Sequence, residues 1–183
     1  MNKKLAVLTF GIVAFVATAI AAQKYPMVGG QEMYPTKNIV ENAVNSADHT
    51  TLVAAVKAAG LVDTLEGPGP FTVFAPTNEA FAKLPAGTVD TLLKPENKNT
   101  LVKVLTYHVV AGKVTAADLK KQITEGKGQA TLKTVSGDTL TAMMQGKKIV
   151  LKDDKGDIST VTIANVMQSN GVIHVVDTVL LPN

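Results

Sequence analysis

His49, His108 and His174 are the only histidines, and the chain has no cysteine. Chemistry that needs a thiolate nucleophile or thiolate metal ligation is therefore closed to it. No two of the three histidines stand at ligand spacing, so no metal site is expected. Asp153-Asp154-Lys155-Gly156-Asp157 has the look of a calcium loop. However, Lys155 occupies a central ligand position and no closing glutamate follows, so a β-turn is the simpler expectation. No G-x-S-x-G elbow, glycine-rich phosphate loop or HExxH is present, and Ser46, Ser136, Ser159 and Ser169 fall near turns or in strands. Neither an enzyme nor a cofactor is expected.

Tyr107-His108 is then the pair with most to offer a partner. It ends an apolar helical face formed by Leu101, Val104, Leu105 and His108, at i, i+3, i+4 and i+7. The competing reading is structural: an imidazole satisfying a carbonyl, and a buried ring with its hydroxyl bonded. His174 alternates with Ile173 and Val175 in an apolar strand, and a core histidine is the expectation there.

The element that positions these residues is Phe71-Thr-Val-Phe-Ala-Pro-Thr-Asn-Glu-Ala-Phe81. Phe71, Val73 and Phe74 read as a strand, and Pro76 stops it for want of an N–H. Thr77 and Asn78 are helix-cap types, and Glu79 puts an acid in the first turn. Phe81 folds back onto the core. Upstream, Thr36 is expected to cap a helix over Ile39, Val40, Ala43 and Val44. A second helix through Leu52, Val56 and Ala59 stops at Gly60. Thr115 and Asp118 have capping-box spacing. From Gln129 onward the texture changes to Thr/Val/Ile-rich runs separated by turn residues, an antiparallel meander. Helices first and strands later predict an α+β fold.

Residues 1–22 read as a secretory signal peptide: Met1-Asn2-Lys3-Lys4, an apolar run, then Ala19-Ile20-Ala21 as the cleavage site. Residues 23–35 hold Pro26, Gly29, Gly30 and Pro35 and read as a flexible leader. Residues 36–183 form the single domain. Its mature length of roughly 160 residues suffices for a core without disulfides. The formal charge of +3 falls to about +1 once Lys3 and Lys4 are removed. Every basic residue is lysine, which argues against nucleic-acid recognition, where arginine is the usual bidentate reader. With no lipidation cysteine after the signal and no hydrophobic tail beyond Asn183, a product secreted or released into a periplasm is expected, with no membrane span after cleavage.

Three stretches together resemble the fasciclin-type (FAS1) domain: Phe71 to Phe81, Tyr107-His108 at a helix end, and Ser169-Asn-Gly-Val-Ile-His174-Val-Val-Asp177-Thr-Val-Leu-Leu-Pro182. The whole most resembles small secreted single-domain bacterial members. The resemblance implies a β-wedge of two mostly antiparallel sheets flanked by N-terminal and central helices. Phe71, Phe74, Pro76, Thr77, Asn78, Phe81, His174 and Asp177 would be its structural motif residues. It also implies adhesion without catalysis, with a cell-surface or matrix protein as partner, or possibly a carbohydrate. In animal matrix members, integrin contact maps to the Tyr-His pair and to an Asp-Ile pair. The latter position holds Asn165-Val166 here, so the metal-coordinating carboxylate is missing. The expected contact face is Tyr107, His108, Asn165, Val166 and Asn170. The alternative is a carrier with an apolar, lipid-sized cavity between sheet and helices.

Overall fold

The computed structural model describes residues 25–183. The expected signal peptide at 1–22 and the first two leader residues lie outside the described residues. The rest of the leader is no flexible arm. Met27–Val28 (β1) and Gln31–Glu32 (β2) form a hairpin through Gly29 and Gly30, both at positive φ. This is the geometry of a two-residue hairpin turn. Val28 and Met33 are buried in the core, and those apolar side chains dock a segment whose proline and glycine content reads as irregular.

Helices α1 (Ile39–Ala43), α2 (Thr50–Ala59) and α3 (Val62–Glu66) follow. Asn38, not Thr36, caps α1, in a reciprocal capping box with Glu41. Gly60 closes α2 at φ +72°. Then come β3 (Phe71–Pro76), α4 (Asn78–Ala82), α5 (Thr88–Leu92), α6 (Lys98–Tyr107), β4 (Val109–Ala111) and α7 (Ala116–Glu125). Thr77 caps α4, and the Thr115–Asp118 box caps α7. The meander completes the chain: β5 (Gln129–Lys133), β6 (Thr139–Gln145), β7 (Lys148–Lys152), β8 (Ile158–Gln168) and β9 (Gly171–Val176).

The α+β class is as expected, with seven strands in the order β4-β3-β9-β8-β7-β6-β5. All neighbours are antiparallel except β3 and β9, which run parallel with Phe74 opposite His174. The long strand β8 is the fold line. Residues 158–160 pair with β7, and the part beyond Val161 pairs with β9. Its register slips twice, and Asn165 sits between the slips at φ +59°. A bulge of this kind bends and twists its strand. At the far side the two edges meet again, through a Val110–Thr134 bridge and a Val135 N–H bonded to Val109 C=O at 2.8 Å. The sheet is thus folded into a wedge.

β3 and β9 lie between two cores, which is why both read as near-continuous apolar runs. Val73, Ala75, Ile173 and Val175 face the helical core with Phe81. Phe74 and Val176 face the wedge interior, with Tyr107, Leu119, Leu140 and Leu151. Phe74 is fully buried and Phe81 nearly so, as the sequence predicts.

Candidate functional site

Tyr107 and His108 sit where α6 hands over to β4, and both are inside the protein. The Tyr107 hydroxyl donates to Thr139 C=O at 2.9 Å and accepts the Asp154 N–H at 3.2 Å. Burial holds its pKa well above the usual phenol value. His108 Nδ1–H donates to Val104 C=O at 2.9 Å, and Nε2 accepts the Leu180 N–H at 3.0 Å. Burial lowers the imidazole pKa to about 4, against a weaker upward pull from Val104 C=O and Asp153. The pair has no surface to offer, which corrects its expected place on a contact face. Its sequence signature marks a joint between α6, the meander and the C-terminal segment.

The other expected face residues are also structural. Asn165 is exposed, but its Oδ1 accepts the Ala116 N–H at 2.8 Å and so caps α7 from a strand 49 residues away. Val166 is buried in the helical core. Asn170 is buried and fully occupied. Its Oδ1 accepts the Ile39 N–H at the start of α1, and its Nδ2 donates to Leu65 C=O and Gly67 C=O at 2.7 and 2.9 Å.

The remaining motif residues keep the structure in register. His174 Nε2–H donates to Val114 C=O at 2.8 Å, Nδ1 accepts the Asn165 N–H at 3.3 Å, and the ring stacks on Phe74. Asp177 Oδ1 accepts from the Thr160 N–H and the Thr178 hydroxyl. Asn78 does not cap its own helix. It accepts the Thr51 N–H at 3.0 Å and donates to Ala47 C=O, so it caps α2 from a distance. The Asp153 loop is a turn: Asp153 accepts the N–H groups of Lys155, Asp157 and Leu181. Among the described residues, no three His, Asp or Glu side chains are grouped to hold a metal, and no helix is long and apolar enough to cross a membrane.

Two features escape sequence reasoning. The first is an aromatic cluster on the hairpin, within the segment read as leader. Tyr25 and Tyr34 meet edge to face at 5.1 Å, and Lys37 Nζ lies 5.4 Å from the Tyr34 ring centre. Tyr34 and Met27 are exposed, and the Tyr34 hydroxyl donates to Glu32 at 2.9 Å. The second is a cavity of about 50 Å³ beneath α1 and α2, walled by Met33, Ile39, Leu52, Val56, Val73 and Ile173. Lipid-sized ligands occupy pockets of about 300–1,000 Å³, so this volume holds no lipid chain. His49 and Ser46 also line it, and both are buried. Ser46 Oγ lies 2.8 Å from His49 Nδ1, while His49 Nε2 has no hydrogen-bond partner among the described residues. The Ala75 backbone is close by, yet outside bonding geometry, and burial lowers the His49 pKa. An unpaired buried donor of this kind costs about 1–3 kcal/mol.

The fasciclin domain family model matches residues 47–182 of this chain. The chain belongs to the fasciclin domain family. It is similar to Protein sll1483 of Synechocystis sp., at 48% identity over 185 residues covering 93% of this chain and 96% of that protein. It is 39% identical over 145 residues to the immunogenic protein MPB70 of Mycobacterium bovis, covering 76% of this chain and 66% of MPB70. The fold matches the solved FAS1 domain pair of the insect cell adhesion molecule fasciclin I with a TM-score of 0.69 at 20% identity, over 79% of this chain and 51% of that one. The fasciclin wedge is thus the fold here, and Tyr107-His108 and His174 are the residues that lock it.

Proposed function

We propose that this fasciclin-domain protein acts outside the cytoplasm, secreted or periplasmic, as a non-enzymatic surface-interaction module. Its partner is a protein of the cell surface or surrounding matrix. The fold match to a cell adhesion molecule supports this reading. The observation that carries it is the Tyr25–Tyr34 pair with Met27 and Lys37, on a hairpin whose opposite side is anchored by Val28 and Met33. Tyrosine and methionine are enriched in protein contact patches, and tyrosine often supplies the residues that dominate affinity. The two rings stand at 61° to each other, so they make a knob and not the flat platform that a sugar stacks on. That geometry favours a protein partner over a carbohydrate.

The test is capture of envelope proteins from the native host on immobilised protein, comparing wild type with the Tyr25→Ala/Tyr34→Ala double variant at equal thermal stability. Capture of a defined protein that the double variant loses supports the reading. Equal capture by both, or none by either, overturns it.

A further inference from the structure

We propose that the cavity beneath α1 and α2 binds a small, largely apolar molecule carrying one hydrogen-bond acceptor, of the class of short-chain carbonyl compounds, with His49 Nε2–H as the donor. This goes beyond the surface-interaction reading, which makes no use of the cavity.

The proton can be placed from the contacts. Ser46 Oγ has one hydrogen-bond partner among the described residues, His49 Nδ1 at 2.8 Å. If the hydroxyl donates there, Nδ1 is the bare nitrogen, Nε2 carries the hydrogen, and one group is left unpaired. If Nδ1 carried the hydrogen, both the hydroxyl proton and Nε2 would be unpaired. The first arrangement is the cheaper one, so the cavity holds a buried N–H donor in search of an acceptor.

The walls define what else the ligand must be. Apart from Ser46, His49 and Lys57, every lining residue is apolar. A buried water needs two to four polar partners, and here it would find the Nε2–H and at most one lone pair of Ser46. A carbonyl compound needs only the one donor, and its alkyl groups match the remaining walls. A volume of about 50 Å³ limits it to a handful of heavy atoms. Entry lies between α1 and α2, where Ala43 and Val53 are only half-buried and Lys57 is exposed. The donor is held rigidly. Ser46 and His49 flank a 3₁₀ turn, and the hairpin clamps that turn through the Ala47 N–H bonded to Gly29 C=O at 3.3 Å.

The probes are 2-butanone and, as an apolar atom without an acceptor, xenon. Imidazole ¹⁵N spectra should show His49 as the Nε2–H tautomer. Butanone should shift the His49 ring and the Val73 and Ile173 methyls saturably. His49→Phe should weaken butanone binding about tenfold, the loss of one hydrogen bond. His49→Gln, which keeps a donor, should retain it, and xenon should bind all three proteins alike. Three results overturn the proposal: an Nδ1–H tautomer, no saturable methyl shift with butanone, or butanone binding equally to wild type and His49→Phe. If His49→Phe fails to fold, the wild-type tautomer together with the His49→Gln titration decides the matter.

Discussion

His108 Nε2 accepts the backbone N–H of Leu180 at 3.0 Å, tying the end of α6 to the segment that follows β9. The bond exists only while the imidazole is neutral, because a protonated Nε2 has no lone pair to offer. Its other nitrogen is committed to Val104 C=O, so the ring has no second arrangement to fall back on.

This coupling makes stability depend on pH in the mildly acidic range. The folded pKa of His108 is lowered from 6.5 to about 4. The unfolded chain therefore takes up a proton before the folded protein does. Stability is complete above about pH 6.5 and falls as pH drops towards 4, by about 3 kcal/mol from His108 alone. His49 and His174 shift in the same direction, also through burial, and add to the slope. Urea denaturation at stepped pH measures it. A flat profile between pH 6.5 and 4.5 would show that the histidines are not held neutral.

Tyr107→Phe separates a structural tyrosine from a contact residue. It leaves Thr139 C=O and the Asp154 N–H without their partner, which should lower stability by about 1–2 kcal/mol. Capture of a partner by the folded variant should be unchanged. Lost capture at unaltered stability would return Tyr107 to the contact face.

How much of this was legible in the sequence depends on the range of the interaction. The strand–stop–helix of Phe71 to Phe81, the Thr115–Asp118 box and the Gly60 terminus follow from neighbours in the chain, and the structure has them all. What the sequence does not reveal is where an asparagine reaches. Asn78, Asn165 and Asn170 each bond the start of a helix that is not their own. Their short amides look the same in sequence whether they bind a partner or cap a remote helix. Asn42, whose amide bonds Tyr34 C=O and the Gln168 side chain, gives no sequence signal at all. The hairpin was missed because Val28 and Met33 are too few to set a period, and burial alone reveals them.

Asn170→Ala should be among the most damaging polar substitutions. It strands the Ile39 N–H and the Leu65 and Gly67 carbonyls, at a total cost of about 3 kcal/mol or more. Asn165→Ala removes one cap at an exposed position and should cost about 1 kcal/mol. Equal effects in chemical denaturation would refute the hub role of Asn170.

The two hairpin glycines make the sharpest comparison. Both have positive φ, at +58° for Gly29 and +77° for Gly30. Alanine at either position carries left-handed strain of about 1–2 kcal/mol. At Gly30 nothing lies within 4 Å of the added methyl, so the strain is the whole effect. At Gly29 the methyl would sit 2.4 Å from Ser46 Oγ, 2.6 Å from the Ala47 nitrogen and 2.7 Å from that of Asp48. Two of those atoms are backbone, so the hairpin must lift away from the 3₁₀ turn. Gly29→Ala should therefore cost at least twice as much as Gly30→Ala. It should also move the His49 ring ¹⁵N resonances, because Ser46 loses its position against Nδ1. Gly30→Ala should leave those resonances in place. If the two variants are equally stable, the hairpin does not clamp the turn, and residues 25–35 contribute nothing to how His49 is held.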